Sequence, residues 1–70
     1  MPTYEVRRKE TMNGPRWEVI RSGAKRFAMS GFIKQSDAVE AGKGLAARHN
    51  GRLIVFGVDG TKKREYAPSI

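Results

Sequence analysis

Seventy residues carry fourteen Lys and Arg against seven Asp and Glu, a net charge of +7, and no cysteine. Such a chain admits one domain at most, residues 1–70, and one small core; without cysteine neither a disulfide nor a Cys-type zinc site can reinforce it. No apolar run longer than residues 53–58 occurs and the start, Met1-Pro2-Thr3-Tyr4-Glu5, lacks the pattern of a secretory leader, so the expectation is a cytoplasmic protein with no membrane partner.

Residues 3–9 alternate, with Tyr4, Val6 and Arg8 facing one way and Glu5, Arg7 and Lys9 the other, the period of a half-buried strand. Asn13-Gly14-Pro15 signals a loop. Residues 16–21 alternate again, with Trp17 and Val19 toward the core and Glu18 opposite. After a Ser22-Gly23 turn, residues 24–30 predict a third strand with Phe27 and Met29 inward and Arg26, Ala28 and Ser30 outward. The three segments read as an antiparallel meander.

Helical spacing follows Phe32. Ala38, Val39, Gly42, Leu45, Ala46 and His49 fall on one face of a 3.6-residue repeat. The start lies near Lys34, Gln35 or Ser36, with Asp37 favourable in the first turn, and Asn50-Gly51 ends the helix, Gly51 supplying the left-handed cap. Gly42 and Gly44 each cost about 1 kcal/mol relative to Ala, which close approach of the helix to the sheet would repay at the small-residue face of Ala38, Gly42 and Ala46. Residues 53–58 and 61–66 then flank Asp59-Gly60, the signature of a hairpin with a type I′ turn. The fold class is α+β: a small antiparallel sheet with one packed helix, in the order β-β-β-α-β-β.

Residues 53–58 are apolar on both faces, Leu53, Val55 and Gly57 on one and Ile54, Phe56 and Val58 on the other. One helix covers one face of a sheet. The second face is covered by the remaining strands, as in a curled barrel, or by a second copy of the chain. The homodimer is favoured, with Ile54, Phe56 and Val58 as its interface.

Catalysis needs a nucleophile or an acid–base pair gathered in a pocket. The single His49 falls at the helix end, where a capping or surface role suffices, and Asp37, Glu40 and Asp59 are scattered. No catalytic residues, metal ligands or cofactors are expected. Gly42-Lys43-Gly44 lies mid-helix and is followed by Leu45, so it is not a phosphate loop. Tyr4, Trp17 and Phe27 fall on core positions rather than among outward cations, which weakens a base-stacking reading.

The charge remains. Residues 1–34 hold eight basic and three acidic side chains, and residues 52–70 four and two. An excess of this kind favours polyanions: nucleic acid first, then acidic proteins or anionic lipid. Arg7, Lys9, Arg16 and Arg26 fall on the outer face of the meander, diluted by Glu5 and Glu18, and Lys62, Lys63 and Arg64 follow the second hairpin turn. The leading expectation is a non-enzymatic module that contacts nucleic-acid phosphates through these seven residues. The alternatives are an adaptor for an acidic protein partner, a plain self-association domain, or a face whose charge serves solubility alone.

Trp17-x-Val19, Gly23-Ala24-Lys25-Arg26, Phe32, Asp37-Ala38-Val39 and Leu53-Ile54-Val55-x-Gly57-x-Asp59-Gly60 together resemble a short bacterial family known as a domain of unknown function. The resemblance spans roughly residues 4–65. It implies a compact α+β domain with a tryptophan strand, an alanine-rich helix and a terminal hairpin, and it brings no activity or binding residues. The chain departs from that pattern at Lys34, where the family has a capping Thr, and at Gly42 and Gly44 within the helix.

Overall fold

The computed structural model describes residues 2–24 and 27–67. Its elements are β1 (Thr3–Thr11), β2 (Gly14–Arg21), β3 (Phe27–Phe32), α1 (Gln35–Arg48), β4 (Arg52–Phe56) and β5 (Lys62–Tyr66), the α+β order expected. Alternation in β1 and β2 acts as a period-2 pattern must: Tyr4, Val6, Trp17 and Val19 are buried, while Arg7 and Lys9 are exposed on the opposite face.

The strands form one sheet in the order β3-β2-β1-β4-β5. An all-antiparallel sheet is corrected at one pairing, because β4 lies parallel to β1, with Tyr4 beside Leu53 and Val6 beside Val55. The crossover explains it. β3 already runs parallel to β1, both being antiparallel neighbours of β2. The 14 residues of α1 carry the chain back about 21 Å, to the end where β3 began, so β4 sets out in the same direction.

The third strand also differs from expectation, running to Phe32 rather than over residues 24–30. The register between β2 and β3 shifts twice, pairing Ile20 with Phe27, Val19 with Met29 and Trp17 with Phe32. Gly31, at φ +86°, provides the backbone that strict alternation lacks. Met29 and Phe32 pack half-buried against the core.

α1 lies on the sheet through Ala38, Gly42 and Ala46, all buried, above Leu53, Val6 and Val55. Val39 and Leu45 flank them. Lys34 occupies the N-cap without a side-chain bond, and Asp37 supplies the acidic first turn. At the other end Asn50, not Gly51, takes the left-handed conformation, at φ 51°. Gly51 N–H donates to Ala46 O at 2.7 Å, and a Cβ there would meet Pro2 O at 2.6 Å. The glycine serves close approach to the chain start, and Asn, tolerant of left-handed backbone, makes the turn.

Asp59-Gly60 does close the β4–β5 hairpin, but through a five-residue loop and without a type I′ turn. Gly60 alone has positive φ, at +83°, and the Asp59 carboxylate accepts from the Thr61 hydroxyl at 2.7 Å and the Thr61 N–H at 3.1 Å. The first hairpin shares only the left-handed glycine. Gly14 stands at φ +101°, and the Thr11 hydroxyl donates to Gly14 O at 2.6 Å. In the second hairpin the longer loop needs φ > 0 at one residue only, which Gly60 supplies; in the first, the left-handed Gly14 is the first residue of β2.

Candidate nucleic-acid interface

β4 pairs with β1 only along Thr3 to Val6, and β3 meets β2 only between Trp17 and Ile20. Beyond those limits β1 and β2 continue together, with Lys9 opposite Arg16, Glu10 opposite Pro15 and Thr11 opposite Gly14. The result is a two-stranded ribbon projecting from the five-stranded body, in a molecule measuring 39 × 22 × 19 Å. Met12 stands fully exposed at its tip.

Lys9 and Arg16 face each other across the ribbon on the side away from α1. Like charges directly opposite on a sheet are destabilising, by about 0.2–1 kcal/mol on the scale of cross-strand pairs. Arg16 Nη1 donates to Pro15 O at 2.8 Å, and among the described residues neither cation has a carboxylate partner. On the face away from α1, this is the part of the expected interface without an ion-pair partner among the described residues.

The remainder of the same face is largely neutralised. Arg7 Nε lies 2.7 Å from the Glu5 carboxylate, with its guanidinium 5.0 Å from the centre of the Phe56 ring. Glu18 sits opposite Arg7. Lys62 Nζ meets Glu65 at 2.6 Å, and Arg52 reaches the same carboxylate at 3.2 Å. The Lys62 hydrogen bond and charge hold the Glu65 carboxyl below the usual carboxylate range. Arg52 is the cation that sequence reasoning misses. Its signal is parity with Ile54 and Phe56, visible once the strand starts one residue earlier than Leu53.

Lys62, Lys63 and Arg64 do not act as one cluster. The register against β4 shifts between Val55 and Phe56, so Phe56 opposes Lys62 while Val55 opposes Arg64. Lys63 is the extra residue of that bulge. Lys62 therefore shares the open face with Phe56, whereas Lys63 and Arg64 line a groove beside α1. Arg26 lies outside the described residues, as does the Phe27 side chain.

Ile54 and Phe56 are half-buried on the open face, where Ile20 joins them across Glu5. Leu53 and Val55 are buried under α1, so β4 is apolar on both faces as its sequence predicts. Val58 does not continue that stripe. It lies in the turn after the strand, 68% exposed, lining a hollow with Arg7 and Phe56.

Among the described residues no three His, Asp or Glu side chains gather as metal ligands, and no helix is long and apolar enough to cross a membrane. His49 is exposed at the helix C-cap, its ring 6.1 Å from that of Tyr4.

No curated protein and no solved structure matches the chain significantly. Residues 4–67 match the family described as an uncharacterized protein conserved in bacteria (DUF2188). With nearly its whole length covered, and with the tryptophan strand, alanine-lined helix and terminal hairpin in place, the chain belongs to that family.

Proposed function

We propose that the chain is a non-enzymatic basic module that binds nucleic acid through phosphate contacts, with the β1–β2 ribbon as its leading edge. The observation that carries this reading is the bare cationic pair Lys9 and Arg16, held opposite each other on a projecting two-stranded arm at a cost to stability. A β-ribbon is narrow enough to enter a major groove, and two such cations on one side of it meet phosphates without reading bases. Arg7 and Lys62, paired with Glu5 and Glu65 beside Phe56, lie outside this path.

Charge reversal tests it. Lys9→Glu with Arg16→Glu should weaken binding to a random-sequence duplex at least tenfold at low salt. It should also flatten the dependence of log affinity on log salt by about 1.8, two contacts at about 0.9 each. A double variant that binds like the parent, with the same salt slope, sinks the ribbon as the contact.

The apolar centre of the open face supports a second feature, a homodimer. Ile54 and Phe56, with Ile20 beyond the Glu5–Arg7 ion pair, are half-buried with no helix over them and lie among both signs of charge, which suits a self-complementary two-fold contact.

A further inference from the structure

The main footprint of α1 falls on β1, β2, β4 and β3, and β5 lies at the sheet edge beyond it. A trough runs between helix and edge strand. One half, about 300 Å³, contains Val39, Glu40, Val55, Lys63 and Arg64. The other, about 280 Å³, is floored by Ala46 and Leu53. The halves meet at Tyr66 and Lys43, whose ammonium sits 4.3 Å from the ring centre.

Three properties of this trough and its edge strand specify a partner. β5 is paired with β4 on one side alone, so among the described residues its outer edge offers backbone N–H and C=O groups to a further strand. The floor is apolar. The walls carry Lys43, Lys63 and Arg64 against the single carboxylate of Glu40, and none of the three cations forms an ion pair with a described residue. The bulge at Lys63 matters here, because it turns two consecutive cations toward the helix where strict alternation would turn one.

The same charges select the partner. Pairing β5 with a second copy would set Lys62, Lys63 and Arg64 against themselves, which opposes self-addition; an acidic strand meets them with opposite charge. A phosphate backbone would use the cations but leave the strand edge unpaired. We infer that an extended acidic segment of a partner protein adds as a sixth strand along the outer edge of β5, beside the trough. Its helix-side carboxylates meet Lys63 and Arg64 at the rim of the trough, and a helix-side apolar side chain packs beside Tyr66. This site lies along the β5 edge and is separate from the ribbon face assigned to nucleic acid.

The probe is a fluorescein-labelled, end-blocked octapeptide, Glu-Thr-Glu-Thr-Val-Thr-Glu-Thr, whose carboxylates and valine share one face of a strand, followed by anisotropy and by amide hydrogen exchange of the protein. The expected result is saturable binding with slowed exchange at residues 62–66. Lys63→Glu with Arg64→Glu should weaken it at least tenfold, and the Lys9→Glu/Arg16→Glu variant should leave it unchanged. Of two peptides N-methylated at alternate residues, odd or even, one should lose binding, because only one set of its N–H groups faces β5. Equal binding by both methylated peptides, unslowed exchange in β5, or displacement of the peptide by a random duplex would overturn the inference. The methylated peptides probe the unmodified protein, so their result stands whether or not the variants fold.

Discussion

At Gly42 an added Cβ would stand 2.9 Å from Leu53 Cδ1 and 3.4 Å from Val6 Cγ2, both fully buried side chains. Gly44, two residues on, would meet nothing within 4 Å. The two helix glycines therefore respond oppositely to alanine. Gly42→Ala sets an overpacking cost of about 1–3 kcal/mol against a propensity gain of about 1 kcal/mol, and should destabilise by up to about 2 kcal/mol. Gly44→Ala should stabilise by about 1 kcal/mol, the propensity difference at an open helix position. Urea denaturation of the two variants checks both signs. Asp59 offers a pH test at the same scale. Hydrogen bonds from the Thr61 side chain and backbone lower its pKa, so its contribution is complete above the ordinary carboxylate range and is lost as pH falls through the depressed folded value. Thr61→Val removes the larger cause and should move the Asp59 titration upward, as followed by carboxyl NMR shifts.

Among the elements, the ribbon is the least supported. Each strand of the body has a sheet neighbour, a helix or both against it, whereas residues 8–16 have mainly each other. Two-stranded segments are marginal in water, so their amides should exchange faster than those of residues 3–6 and 17–20. Uniform protection along β1 and β2 would show that something else covers the arm. β1, β2 and α1 are legible in the sequence because their periods are unbroken: Tyr4 and Val6, Trp17 and Val19, and Ala38, Gly42 and Ala46 all occupy the core positions their spacing predicts. β3 and β5 are less so, and for one physical cause. A bulge inserts a residue that periodicity cannot count, which moves the end of β3 to Phe32 and splits Lys62 from Lys63 and Arg64. The parallel β1–β4 pairing is hidden for a different reason. It is set by the helical crossover and not by any pattern within either strand.

For the whole molecule, net charge overstates the free charge. Of the described cations expected to bind, Arg7 and Lys62 are engaged by Glu5 and Glu65, which leaves Lys9 and Arg16 at one end and Lys63 and Arg64 on the other side of the sheet. Composition reports the excess, but only the register shows where it stays uncompensated. The apolar side chains of Ile20, Ile54 and Phe56 on the open face bear on assembly. Sedimentation equilibrium at tens of micromolar should give a dimer, and Phe56→Ser should give a folded monomer, since that ring is half-buried and outside the helix-covered core. A parent protein that sediments as a monomer would remove the dimer. The central claim is phosphate binding, and it is tested most directly by titrating a fluorescent random-sequence duplex with the unmodified protein at several salt concentrations. The account predicts saturable binding whose log affinity falls linearly with log salt, by about 0.9 per phosphate contact. No binding at low salt, or binding indifferent to salt, would contradict it.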